Sequence, residues 1–189
     1  MIGGVLRDEA LEWCKGKSWL VRLPLLLFFA YILLRHLADP AYASIIAPLD
    51  LGIHELGHLV FSLLGQDVQV AGGTILQLAV PVYAVFNFHS QRDFFGIAMS
   101  FGWISANLFE VARYAGDARA LQLPLVSLFG GESVVHDWEY MLEKLRLLQA
   151  DAVIACGIRV LGAITFLLCM VLGSWLLWNM YREKGTGNA

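Results

Sequence analysis

Residues 18 to 37 form a dense Leu/Phe block whose two charges, Arg22 and Arg35, sit near its ends. A helix of that length crosses the ~30 Å apolar core of a bilayer, and arginines at its ends can extend to the headgroups. Four further apolar stretches follow. They cover about 44 to 64, with Pro48 near the start and Gly65 as a stop; about 74 to 88; 94 to 115; and 152 to 181. The third is short, opens at Gly72-Gly73 and carries Pro81 near its middle, which predicts a kinked or partly re-entrant helix. The last ends in Trp175, Trp178 and Tyr181, as at a membrane interface. The pattern predicts an all-α polytopic membrane bundle of about five transmembrane helices plus an amphipathic helix. Composition agrees, because only 15% of the chain is Asp, Glu, Lys or Arg, against about 25% in a soluble domain.

The rest of the chain fits one integral-membrane domain over residues 1–189. Residues 1–18 are mixed and charged and predict an interfacial segment. Residues 116–150 read as a loop to about 136 followed by an amphipathic helix, with Trp138, Met141, Leu142, Leu145 and Leu148 at helical spacing. A net charge of −3 without a basic stripe argues against a nucleic-acid partner. Cys14, Cys156 and Cys169 lie far apart with no CxxC, so they read as packing residues. Asp8, Glu9 and Glu12 interrupt any basic leader, and the first apolar helix is expected to be retained. On a five-span topology, Lys and Arg divide eight to four in favour of the side holding the N-terminus and the large loop. That predicts a cytoplasmic N-terminus, and the expected setting is a bacterial plasma membrane.

Chemistry enters through the second apolar stretch, which contains His54-Glu55-Leu56-Gly57-His58. On a helix, residues four apart share a face, so the two imidazoles can address one ion at the 2.0–2.1 Å that zinc prefers. Glu55 is offset and better placed to take a proton from a water that the ion activates. Two histidines and a glutamate crowded into an apolar helix are expensive unless they serve a function.

This motif, set in a hydrophobic segment of a small multispanning protein, resembles the site-2 protease family of intramembrane zinc metallopeptidases. The resemblance implies zinc held by His54 and His58, Glu55 as general base, and cleavage of peptide bonds in membrane-embedded or membrane-proximal substrates. The family's second signature, an Asp followed by Gly on a later span, is not present in that form. Asp50-Leu51-Gly52 precedes the motif and does not replace it.

A catalytic zinc takes three protein ligands and keeps one open position. Candidate donors after the motif are His89, Glu110, Asp117, Glu132, His136, Asp137 and Glu139. His136 and Asp137 are the first choice, one as ligand and the other as its orienting partner. Asp117 comes next, at the end of a polar stripe of Asn107, Glu110, Tyr114 and Asp117, in which Arg113 could pair with an acid. Asn107 and Gln77 are candidate substrate-binding residues, Asn107 with the further option of serving an oxyanion. Val68-Gln69-Val70 is a candidate edge for pairing with an extended peptide. His36 and His89 read as wet interfacial residues, and Arg159 carries no catalytic role. A zinc hydrolase of a lipid or small molecule, and a non-catalytic metal-binding scaffold, are the alternatives to a protease.

Overall fold

The computed structural model describes residues 2–124 and 135–186. Its helices are α1 (Ile2–Cys14), α2 (Trp19–Ala38), α3 (Ala47–Phe61), α4 (Gln66–Ser90), α5 (Phe94–Gly116), α6 (Asp137–Lys144) and α7 (Asp151–Thr186), with short 3-10 turns at Ser62–Leu64 and Leu148–Ala150. Among the described residues there is no strand. The helices α2, α4, α5 and α7 are long and apolar enough to cross a membrane. The chain is an all-α bundle with the features of an integral membrane protein.

Central to it is α5, whose buried small residues Gly96, Ala98, Ser100, Gly102, Ser105, Ala106, Ala112 and Ala115 let neighbours approach closely. A Cβ on Gly102 would stand 2.9 Å from the Phe29 ring of α2 and 3.0 Å from Cys169 Sγ of α7. Ser105 Oγ donates to the Gly162 carbonyl at 2.7 Å, tying α5 to α7. The outer faces of the long helices remain apolar and exposed, as at Val21, Leu27, Tyr83, Phe86 and Leu167, which suits lipid contact.

The second apolar stretch is a correction to the five-span expectation. Helix α3 has 15 residues, about 22 Å of rise and too short for a ~30 Å core. The chain leaves α2 at Asp39 and descends without helix, with Ser44 Oγ donating to Glu110 Oε1 at 3.1 Å. Asp50 Oδ1 then accepts from Trp103 Nε1 at 2.8 Å, and Trp103 lies about 20 Å of helix from the end of α5. From there α3 runs back outward to Gly65, whose φ of 91° is a turn suited to glycine. It is therefore α3, and not the segment with Pro81, that forms the re-entrant arm.

The third stretch also differs. Helix α4 begins at Gln66 and continues through Gly72, Gly73 and Pro81 to Ser90. Gly72-Gly73 thus lies inside a helix, and Val68-Gln69-Val70 offers no sheet edge because it is helical, in the first turns of α4. Bare backbone is needed at this position: a Cβ on Gly57 would stand 2.2 Å from the Gly72 carbonyl oxygen, so α3 and α4 pack main chain to main chain. The amphipathic helix is shorter than expected, ending at Lys144. Of the large loop, residues 125–134 lie outside the described residues.

The four long helices put α1 and the end of α7 at one end of the bundle. There Arg92 faces Glu9 at 3.8 Å, Trp13 meets Phe94 edge to face, and Trp19 meets Tyr181. At the other end Arg113 donates to the Ala41 carbonyl, Arg159 to that of Pro40, and Arg119 pairs with Asp151. The N-terminal segment is helical and docks on the bundle, with Ala10 and Cys14 buried. On this topology Arg7, Lys15, Lys17, Arg22, Arg92, Arg182 and Lys184 oppose Arg35, Arg113, Arg119, Lys144, Arg146 and Arg159, so the eight-to-four bias becomes seven to six. Reporter domains fused ahead of α1 and after α7 should report the same side of the membrane; opposite sides would restore a fifth crossing.

Candidate metal centre

Helix α3 presents His54 and His58 one turn apart, and Gly73 of the neighbouring α4 makes room for both. A Cβ there would stand 2.5 Å from His54 Nε2 and 2.7 Å from His58 Cε1. Each ring is held by its inner nitrogen. His58 Nδ1 lies 2.8 Å from the main-chain oxygen of Gln69, and His54 Nδ1 lies 3.0 Å from Gln77 Oε1. An oxygen acceptor at Nδ1 keeps the proton there and leaves Nε2 with its lone pair free.

Both free nitrogens face one oxygen. Asp137 Oδ2, delivered by the first residue of α6, lies 2.9 Å from His54 Nε2 and 3.2 Å from His58 Nε2. Three electron-pair donors at such separations need a shared proton or a bound cation between them. Donors around a tetrahedral ion at 2.0–2.1 Å stand about 3.3–3.4 Å apart. An opening of a few tenths of an ångström therefore accommodates zinc, and two imidazoles with a carboxylate suit that ion. Burial acts to raise the Asp137 carboxyl, yet its contacts with His54 and His58 overcome this and hold it below the ordinary carboxylate range, ionised as a ligand must be.

Glu55 completes the cluster. One oxygen of its carboxylate and a ring nitrogen from each of His54 and His58 all lie within 4.8 Å of one another. His54, Glu55, His58, Gln77, Tyr114 and Asp137 share the wall of one cavity of about 850 Å³, which runs along α3 toward Ser44 and Arg113. The site occupies the half of the bundle nearest α6. At the rim, Asp67 Oδ1 accepts from Tyr140 Oη at 2.7 Å and from Lys144 Nζ, mooring α6 to the start of α4.

Other expected site residues are placed elsewhere. His136 does not join His54 and His58: its Nδ1 accepts from the Glu139 amide at 3.1 Å, capping α6, and its Nε2 faces Asp117 Oδ2 at 3.5 Å. Asp117 accepts from the amides of Gln122 and Leu123, so it organises the chain after α5. Asn107 is fully buried, with its amide donating to the Trp103 carbonyl, and it does not line the cavity; substrate contact is out of its reach. Gln77 does line the cavity, but its oxygen is engaged by His54, making it an orienting residue.

Glu110 accepts from Ser44, and Arg113 donates to a main-chain carbonyl instead of pairing with an acid. His36 is buried and stacked on Phe109 rather than wet. His89 ends α4 at the opposite end of the bundle. Glu132 lies outside the described residues. Sequence reasoning missed the Gln69 carbonyl, which carries no side-chain signal, and the steric part of Gly73, for which the adjacent glycine pair was the available clue.

Comparison with protein-family models, with curated proteins and with solved structures returns no match.

Proposed function

We propose that the chain is a zinc-dependent metallopeptidase that hydrolyses peptide bonds of membrane-embedded or membrane-proximal substrates. The observation that carries this reading is the convergence of His54 Nε2, His58 Nε2 and Asp137 Oδ2 on one point beside Glu55, in the wall of a cavity. His54, His58 and Asp137 would hold the ion, and Gln77 and the Gln69 carbonyl would fix the two rings. Zinc, when bound in such a set, polarises a carbonyl and brings the pKa of a water toward about 7.

The protein's own part is proton movement and positioning. Glu55 accepts a proton as water oxygen bonds to the substrate carbonyl carbon and the C=O electron pair moves onto oxygen. When the C–N bond breaks, Glu55 returns that proton to the leaving nitrogen. The cavity along α3 leaves room for an extended segment beside the cluster. The proposed setting is a bacterial plasma membrane; with Lys and Arg divided seven to six, the side that holds the N-terminus is what the terminal reporters read directly.

The test is cleavage of an apolar transmembrane peptide by purified, zinc-loaded protein in detergent. Glu55→Gln should lower turnover by about 10²–10⁴-fold, the range of a lost general base, with zinc content unchanged by metal analysis. Equal turnover in the two proteins would overturn the assignment.

A further inference from the structure

Resting on the hydrolytic reading above, we propose that the Tyr114 hydroxyl is a catalytic hydrogen-bond donor to the oxygen that gains charge when the substrate carbonyl is attacked. Tyr114 stands on α5, two residues from its end, and lines the same cavity as His54, Glu55 and Asp137. Its ring is clamped, with the His136 ring centroid 4.3 Å away on one side and that of His54 at 6.0 Å. Its oxygen is fixed as well, because the Asp137 main-chain N–H donates to it at 3.1 Å. That bond uses a lone pair and leaves the phenolic hydrogen unspent. Among the described residues the hydroxyl has no acceptor.

A buried-rim phenol with a fixed oxygen and an uncommitted hydrogen has the properties of a preorganised electrostatic group. Donation into its oxygen polarises the O–H and makes it a better donor. The bond it offers strengthens as negative charge grows on the substrate oxygen, and so favours the transition state over the ground state. No proton leaves Tyr114 in this step; the proton from water goes to Glu55. Of the donors around it, the Asn107 amide is given to Trp103 and the Glu139 amide to His136, whereas the Tyr114 hydroxyl is the one fixed by the residue that carries the Asp137 carboxylate. The amide between His136 and Asp137 makes this more than a local packing arrangement, since the residue that supplies the third ligand also positions the donor.

Tyr114→Phe keeps the ring and removes the hydroxyl, and two readouts separate donation from support. In calorimetry on zinc-loaded protein, a phosphonamidate analogue of an apolar hexapeptide carries tetrahedral anionic oxygens that mimic the charged state. Its affinity should fall about 10²-fold in Tyr114→Phe, and kcat by about 10²–10³-fold, the loss seen when one such donor is removed. KM and the zinc Kd should stay within a few-fold of wild type. Placing 3-fluorotyrosine at position 114 retains the acceptor for Asp137 with a stronger O–H donor, so phosphonamidate affinity should rise.

Unchanged phosphonamidate affinity in Tyr114→Phe overturns the donor role. A zinc Kd that weakens in parallel with kcat also overturns it, by showing that the hydroxyl only supports Asp137. If wild-type protein neither cleaves peptide nor binds the phosphonamidate, the hydrolytic reading falls and this inference with it. If Glu55→Gln is inactive while Tyr114→Phe is unimpaired, only the inference falls.

Discussion

Gly73→Ala should abolish zinc binding, weakening it by more than about 100-fold, while helical content by circular dichroism stays at the wild-type level. The added methyl would stand 2.5 Å from His54 Nε2, closer than any unstrained carbon–nitrogen contact. The ring has little freedom to retreat, because Nδ1 is held by Gln77 and α3 is locked against α4 at Gly57 and Gly72. Intrinsic helix propensity acts in the opposite direction, since alanine in a helix interior is favoured over glycine by about 1 kcal/mol. A loss of metal without loss of helix therefore isolates the steric role. Wild-type zinc affinity in this variant, measured by competition with a fluorescent chelator, would mean that the two imidazoles do not share an ion at this point.

Asp137→Ala should weaken zinc by more than the 10–100-fold typical of losing an outer hydrogen-bond partner, because it removes one of three direct donors and the only anionic one among them. His136→Ala, one residue away, should affect the start of α6 through its cap, a loss of about 1 kcal/mol in local stability, and leave a much smaller effect on zinc. The pair of variants separates neighbours that the sequence presents as equivalent. Comparable losses in both would place His136 in the coordination sphere and contradict the geometry in which it faces Asp117.

The parts of this molecule that could be read from the chain are those with a local signature. Apolar runs of 20 or more residues gave α2, α5 and α7 with ends within a few positions, and the i, i+4 spacing put His54 and His58 on one face. What could not be read depends on depth and on distant partners. Hydropathy treats residues 44 to 64 as a crossing because it measures apolarity and not direction, and only the contacts of Ser44 and Asp50 with α5 reveal a descent and return. Gly72-Gly73 carries the local mark of a turn, yet the pressure for glycine comes from Gly57 and from the imidazoles across the interface. The choice between His136 and Asp137 was likewise inaccessible, since adjacent residues at a helix start point in different directions and only the cap on Glu139 decides which turns inward.

The position of the cluster has a further consequence. His58 is fastened to Gln69, three residues from the start of α4, and Tyr114 lies two residues from the end of α5, so on the proposed reading the chemistry would sit within a single leaflet. A substrate helix standing beside the bundle would present to it only bonds from that leaflet. Scission there would release a fragment on one face and leave the longer apolar remainder embedded, making the bundle a one-sided trimmer of its substrates.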